Sequence, residues 1–145
     1  MTAATVLVFD GHCGFCTRAV AWLLRLDRRH RLIPLPYQLP GVPQRYGLAP
    51  DDCRTAAWTF TPDGRWFRGA GAINAALATA VDNRLPLWIY RLPVIRWAQD
   101  AAYDWIARNR RLFPGVTPWC STHPDAGCDA DTRPLLEGRV RRRGR

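Results

Sequence analysis

The stretch VLVFDGHCGFCTRAVAWLLRL, residues 6–26, decides how the chain begins to fold. Thr5 to Phe9 is a continuous apolar run that stops at Asp10-Gly11, as is typical of a buried central strand. From Cys13 to about Arg29, apolar residues recur at helical spacing, which predicts an amphipathic helix. The sequence therefore places two cysteines, Cys13 and Cys16, at the junction of a strand and a helix.

The rest of the chain predicts further strands and helices. RLIPLPY at 31–37 indicates a second strand, and TAAWTFTPDGRWFRGAG at 55–71 indicates a hairpin around Pro62-Asp63-Gly64. A helix is expected over 71–83, and further helices over 85–112 with breaks at Pro86 and Pro93. A strand–helix–strand unit implies a parallel crossover, and a hairpin adds antiparallel strands. We therefore expect an α/β fold with a mixed sheet flanked by helices.

The charge of the chain is concentrated near its end. All 21 basic residues are Arg, and five of them lie in the last eight residues, which leaves 16 against 12 acidic residues elsewhere. We interpret these last eight residues as a solvated terminus. We predict no specific nucleic-acid partner, because no aromatic or groove-reading element accompanies the arginines. The size predicts a single domain over 1–120, including the added helices at about 85–112, and an irregular, Arg-rich tail over 121–145.

The sequence also suggests a compartment. The first residues, MTAATVLVF, show neither a positive n-region nor a small-residue cleavage site, and no apolar run reaches about 18 residues. We therefore expect a cytoplasmic protein without a transmembrane segment. In that compartment paired cysteines indicate redox catalysis or metal binding more often than a structural disulfide.

A helix N-terminus stabilises a thiolate, so Cys13 is predicted to have a lowered pKa and to act as a nucleophile. Cys16 lies one turn further on the same face, where it could resolve a mixed disulfide. A protonated His12 would lower the pKa of Cys13 further. Asp10 could accept a proton from Cys16 or cap the loop, and we favour capping. The cysteines themselves would carry the electrons, so no cofactor is expected.

Three segments resemble the DCC family of predicted thiol-disulfide oxidoreductases: VFDGHCGFC (8–16), PDGRWFRGAGAINAAL (62–77) and AAYDWIARNRRLFPGVTPWC (101–120). The family takes its name from an Asp followed by two cysteines, which here are Asp10, Cys13 and Cys16. The resemblance covers most of residues 5–120 and implies a thioredoxin-like fold. It also implies disulfide exchange through Cys13 and Cys16, with a disulfide-containing protein or a small thiol compound as substrate and a thiol as electron donor.

A zinc site is the main alternative. Cys13 and Cys16 could form one ligand pair, and Cys120 with His123 or Cys128 could form the other. Cys120 and Cys128 could instead be a second redox pair, or small buried residues or loop thiols, which is the interpretation we favour for Cys128. A phosphatase using Asp10 as nucleophile is disfavoured, because the chain has no Lys to hold a phosphate.

A non-enzymatic binding module is a further alternative. It would use the Arg-rich tail and the aromatic residues of the later helices on a membrane or a partner. At their spacing we expect these aromatic residues to be core and helix-packing residues. They are Trp88, Tyr90, Trp97, Tyr103 and Trp105.

Overall fold

A computed structural model of the chain describes residues 4–128 and shows four strands and seven α-helices in that range. The strands are β1 (Thr5–Phe9), β2 (Leu32–Pro36), β3 (Trp58–Phe60) and β4 (Trp66–Arg68). The helices are α1 (Gly14–Leu26), α2 (Val42–Arg45), α3 (Pro50–Thr55), α4 (Ala70–Val81), α5 (Leu85–Tyr90), α6 (Pro93–Arg108) and α7 (Trp119–Thr122). Two 3-10 turns, Arg110–Leu112 and Pro124–Ala126, follow α6 and α7.

The four strands form one mixed sheet in the order β2-β1-β3-β4. β1 pairs with β2 in parallel through the crossover helix α1, whereas β3 is antiparallel to both β1 and β4. The predicted α/β class is confirmed, since this sheet with its flanking helices matches a thioredoxin-like arrangement. The extra C-terminal helices are also present.

Both faces of β1 are covered, as its apolar run predicted. Leu7 and Phe9 pack on one side with Val20 and Leu23 of α1, and Ala76 of α4 completes that cluster. On the other side, Val8 packs with Val42 and Cys53, which belong to α2 and α3. The C-terminal end of β1 therefore emerges between two packed layers.

The first helix ends three residues earlier than the periodicity predicted. Asp27 directly follows the last residue of α1 and is only 2% exposed. Its carboxylate accepts the amides of Arg31, at 3.1 Å, and Leu32, at 2.8 Å. Because this carboxylate caps the start of β2, it stops the helix and fixes the short α1–β2 connection.

The later helices differ from the sequence prediction in two respects. Pro86 does not break a helix but lies in the first turn of α5, where its missing amide costs nothing. Trp88, Trp97 and Trp105 are more than half exposed, so their assignment to the core was wrong. The reason is geometric, because α5 and α6 pack on the domain through their other faces, including Tyr103.

The stretch after Pro114 is more ordered than expected. It contains α7 and a 3-10 turn, and a disulfide joins Cys120 to Cys128. The Arg-rich residues 129–145 of the predicted tail lie outside the described residues, so that interpretation stays a prediction. Between residues 4 and 128, the structure contains no helix that is long and apolar enough to cross a membrane.

Candidate active site

Cys13 occupies the N-cap position of α1. Its backbone is extended, and its Sγ accepts the backbone amide of Cys16 at 3.2 Å. Its carbonyl accepts the amide of Thr17 at 3.0 Å and the Thr17 hydroxyl at 2.9 Å. A sulfur atom therefore stands where a Ser or Asp side chain usually caps a helix, facing the unsatisfied amides of the first turn.

The environment divides the two cysteines into a thiolate and a thiol. Hydrogen bonds from the side chain and amide of Cys16, together with the charge of Arg110, lower the pKa of Cys13 to about 6 despite burial and the nearby Asp10. The pKa of Cys16 is raised well above its ordinary value by its hydrogen bond to Cys13 and by burial. Near neutral pH, Cys13 is therefore ionised and Cys16 carries the proton.

The two sulfur atoms also face different surroundings. Cys13 lines an open groove together with Arg111, Phe113 and Val116. Cys16 lines a mostly apolar cavity of about 80 Å³ that shares Asp10, Phe15 and Arg110 with the groove. A substrate in the groove would therefore meet the Cys13 sulfur, because Cys16 lines the cavity and not the groove.

Asp10 fixes the loop between β1 and Cys13. Its Oδ1 accepts the amide of His12 at 3.0 Å and the side-chain amide of Gln38 at 2.6 Å. Gln38 in turn accepts the amide of Gly11 at 2.9 Å. These contacts tie the Asp10 carboxylate into the loop, and its proton-accepting role toward Cys16 stays a prediction. His12 is exposed, and its effect on Cys13 stays a prediction.

Arg110 is the site residue that sequence reasoning missed. Its Nη1 donates to Asp10 Oδ2 at 3.2 Å and to Cys16 Sγ at 3.5 Å, and its Nη2 donates to the Arg54 carbonyl at 3.4 Å. It lies in the 3-10 turn directly after α6, about a hundred residues from the cysteine pair. The sequence contains one signal for Arg110, which is that it ends the segment YDWIARNR. That segment supported the family resemblance, but nothing in the sequence showed that it lies beside the cysteines.

The C-terminal segment 113–119 crosses the start of α1. The Val116 amide donates to the Gly14 carbonyl at 3.2 Å, and the Trp119 amide donates to Thr17 Oγ1 at 3.1 Å. The two backbones touch, because a Cβ on Gly115 would lie 2.5 Å from the carbonyl carbon of Gly14. This segment forms one wall of the groove that exposes Cys13.

The zinc alternative is not favoured. Cys120 and Cys128 are bonded to each other, and the ring of His123 stacks on Trp119 at a centroid distance of 4.0 Å. Within residues 4–128, no group of three or more His, Cys, Asp or Glu side chains is arranged to hold a metal ion. The interpretation of Cys128 as a small buried residue or a loop thiol was wrong, since it is bonded to Cys120 in a disulfide.

Cys53 is a third free cysteine near the site. It is 3% exposed and lines the same apolar cavity as Cys16. Burial, together with the charge of Asp52, raises its pKa to about 11. Cys53 is therefore a protonated core thiol at neutral pH, in contrast to Cys13.

The sheet and its flanking helices define a thioredoxin-like α/β protein, with the free cysteines Cys13 and Cys16 at the start of α1. Residues 7–116 match the DCC1-like thiol-disulfide oxidoreductase family. The chain belongs to that family, which confirms the resemblance found in the sequence. No curated protein and no solved structure matches the chain.

Proposed function

We propose that the protein is a thiol-disulfide oxidoreductase that exchanges disulfides through Cys13 and Cys16. The observation that carries the proposal is the position of the Cys13 sulfur, which caps α1 and faces the groove while accepting the Cys16 amide at 3.2 Å. A lowered pKa supplies the thiolate that attacks a disulfide at neutral pH.

The reaction has two steps. The Cys13 thiolate attacks one sulfur of a substrate disulfide, a mixed disulfide forms, and the other substrate sulfur leaves as a thiolate. Cys16 then loses its proton and attacks Cys13, which releases the second substrate thiol and leaves a Cys13–Cys16 disulfide. Arg110 is a positioning residue in this scheme, because its charge faces Cys16 while its ion pair with Asp10 holds the loop.

The substrate is proposed to be a disulfide in a protein or in a small thiol compound, with a thiol as electron donor. The groove supports this class, since it is open and combines the cation Arg111 with the apolar side chains of Phe15, Phe113 and Val116. Phe113 contacts Phe15 at a centroid distance of 5.3 Å, which keeps an aromatic wall beside Cys13.

The proposal is tested with the reduced protein and oxidised glutathione, followed by alkylation and peptide mapping. We expect the wild type to form a Cys13–Cys16 disulfide and C16S to accumulate glutathione on Cys13. The matched control is C53A, which removes the buried thiol and should react like the wild type. A C13S variant that reduces oxidised glutathione as fast as the wild type would refute the proposal.

A further inference from the structure

The Cys120–Cys128 disulfide lies outside the proposed exchange reaction and closes a short loop. Cys120 is in α7 and is 8% exposed, whereas Cys128 is half-buried and follows the exposed residues 121–126. The bond therefore has one sulfur held in the protein and one carried by a surface loop.

Cys120 is packed directly on the loop that carries Cys13. Its amide donates to the Gly11 carbonyl at 3.0 Å. Its Sγ would lie 2.8 Å from a Cβ at Gly11, so the sulfur occupies the space that a side chain would need. Gly11 lies two residues before Cys13.

A second set of hydrogen bonds ties the same two elements together. Trp119, the neighbour of Cys120, donates its amide to Thr17 Oγ1 at 3.1 Å. The Thr17 hydroxyl donates to the Cys13 carbonyl at 2.9 Å. The segment that carries Cys120 is thus anchored on both sides of Cys13, at Gly11 and at Thr17, which holds the disulfide beside the loop that carries the thiolate.

We infer that Cys120–Cys128 is a second redox centre, which takes two electrons from the Cys13/Cys16 dithiol by internal disulfide exchange. The inference rests on the proposed function, because it needs Cys13 as an attacking thiolate. It gives the enzyme a disulfide substrate within its own chain and allows it to hold two electron pairs.

The exchange balances without an outside oxidant. The Cys13 thiolate attacks Cys120 Sγ, the Cys120–Cys128 bond breaks, and Cys128 leaves as a thiolate that takes a proton from water. Cys16 then loses its proton and attacks Cys13 Sγ, and Cys120 leaves as a thiolate. A Cys13–Cys16 disulfide replaces the Cys120–Cys128 disulfide, and the reverse sequence returns the electrons.

The position of the loop favours attack on Cys120 rather than on Cys128. Cys120 is held against Gly11, whereas Cys128 follows the exposed residues 121–126 and makes no such contact with the loop of Cys13 among the described residues, so Cys128 is the leaving group in this scheme. We therefore expect the intermediate to join Cys13 to Cys120.

A trapping experiment tests the exchange in a variant that keeps Cys13, Cys120 and Cys128. Fully reduced C16S is oxidised with one equivalent of diamide per chain, quenched with acid, alkylated and mapped by mass spectrometry. We expect a Cys13–Cys120 peptide beside the Cys120–Cys128 peptide, in a ratio unchanged by tenfold dilution. The control C13S should give Cys120–Cys128 alone. A C16S chain that forms Cys120–Cys128 while Cys13 stays completely alkylated would overturn the inference.

A second measurement uses the wild type with one disulfide per chain. It is prepared either by oxidising the reduced protein with one equivalent of diamide or by reducing the oxidised protein with one equivalent of dithiothreitol. The inference predicts the same ratio of Cys13–Cys16 to Cys120–Cys128 from both directions, and two lasting, different ratios would contradict it.

The double variant C120S/C128S separates this inference from the proposed function. If the double variant still forms the Cys13–Cys16 disulfide with oxidised glutathione, but C16S forms no Cys13–Cys120 disulfide, only the internal exchange is refuted. If the wild type itself forms no Cys13–Cys16 disulfide with oxidised glutathione, the proposed function fails and the inference falls with it.

Discussion

Cys13 and Cys16 differ in chemistry because their surroundings differ. The Cys13 sulfur accepts hydrogen bonds at a helix N-terminus. The Cys16 thiol keeps its proton, which it donates in a hydrogen bond to Cys13, and it lines an apolar cavity. The charge of Arg110 acts on both sulfur atoms, and its ion pair with Asp10 prevents it from turning into solvent. The attacking and resolving roles that we propose thus rest on burial and hydrogen bonding rather than on residue type.

The first prediction concerns the pH dependence of Cys13. Alkylation by iodoacetamide should rise with pH through a midpoint of about 6, since only the thiolate reacts. In R110Q the midpoint should move upward, because a positive charge that favours the thiolate is lost. We expect the rate at pH 6 to fall by up to about threefold, because losing an interaction of about 1 kcal/mol lowers the ionised fraction of Cys13 at pH 6 from about one half to about one sixth.

The control for this experiment is R108Q. Arg108 is exposed, and its Nε donates to the Asp104 carbonyl at 3.2 Å within α6. Its variant should keep the wild-type profile. A midpoint near the ordinary cysteine value in the wild type would refute the assignment of Cys13 as the thiolate.

The residues of the site were predictable only where they are close in sequence. Asp10, Cys13 and Cys16 lie within seven positions, so their spacing after a strand could be recognised. Arg110 could not be placed, because its contact depends on how α6 returns to the sheet. Cys120 and Cys128 were noted as a possible redox pair, but nothing in their spacing distinguished a disulfide from metal ligands.

At the level of elements, the crossing of segment 113–119 over α1 depends on glycine. A Cβ on Gly14 would overlap the Val116 carbonyl oxygen. G14A should therefore displace the segment and lower the free energy of unfolding by about 1–3 kcal/mol, as overpacking does. Urea unfolding measures the loss, and faster tryptic cleavage after Arg111 reports the displacement.

G47A is the matched control for G14A. Gly47 has open space around its Cα but a φ of +67°, so an alanine there costs backbone strain without a clash. It should lower the free energy of unfolding and leave cleavage after Arg111 unchanged. Equal cleavage rates in G14A and the wild type would show that the segment tolerates the extra atom.

Tyr103 connects α6 to the sheet beside the site. Its hydroxyl accepts the Ala57 amide at 2.9 Å, just before β3. Y103F leaves that part-buried amide without its acceptor, so we expect a loss of about 1–3 kcal/mol in urea unfolding. The control Y90F removes a bond to the Asp100 carboxylate, whose side chain is 44% exposed and regains water, so it should cost less than Y103F. Equal losses of unfolding free energy in Y103F and Y90F would contradict the role of the Tyr103 hydroxyl in holding α6 to the sheet.

Elements with a clear local pattern were predicted well. β1 has the predicted bounds, and the hairpin turns at Pro62-Asp63-Gly64 as expected. The exposed face of α6 was not predicted, because its Trp97 and Trp105 lie at the spacing of a buried helix face. Which face is covered depends on the direction from which α6 meets the sheet, and periodicity carries no information on that direction.

For the whole molecule, the site joins parts of the chain that are far apart. β1 and α1 supply the cysteines, the turn after α6 supplies Arg110, and α7 places Cys120 against Gly11. The sheet order β2-β1-β3-β4 puts β1 inside the sheet, so its C-terminal end is reachable from both layers. This central position is why later helices can contribute to a site whose motif is complete by residue 16.

The electrostatics of the site also predict its reduction potential. A thiolate at Cys13 stabilises the reduced form relative to the disulfide, which makes the pair more oxidising. Its pKa of about 6 lies between the values of about 7 for thioredoxin and about 3.5 for DsbA. We therefore expect a potential between about −270 and −120 mV at pH 7. Equilibration with glutathione in C120S/C128S measures this pair alone, and a value below that of thioredoxin would contradict the expectation.

The pH dependence of that potential gives the sharpest test of one ionised cysteine. Below pH 6 both cysteines of the reduced form are protonated, so two protons accompany two electrons and the potential falls by about 59 mV per pH unit. Above pH 6 Cys13 is a thiolate and Cys16 stays protonated, so one proton remains and the slope becomes about 30 mV per pH unit. The break should lie near pH 6 in C120S/C128S and move to higher pH when R110Q is added. A single slope of about 59 mV from pH 5 to 8 would mean that neither cysteine ionises in this range, and the low pKa of Cys13 would have to be abandoned.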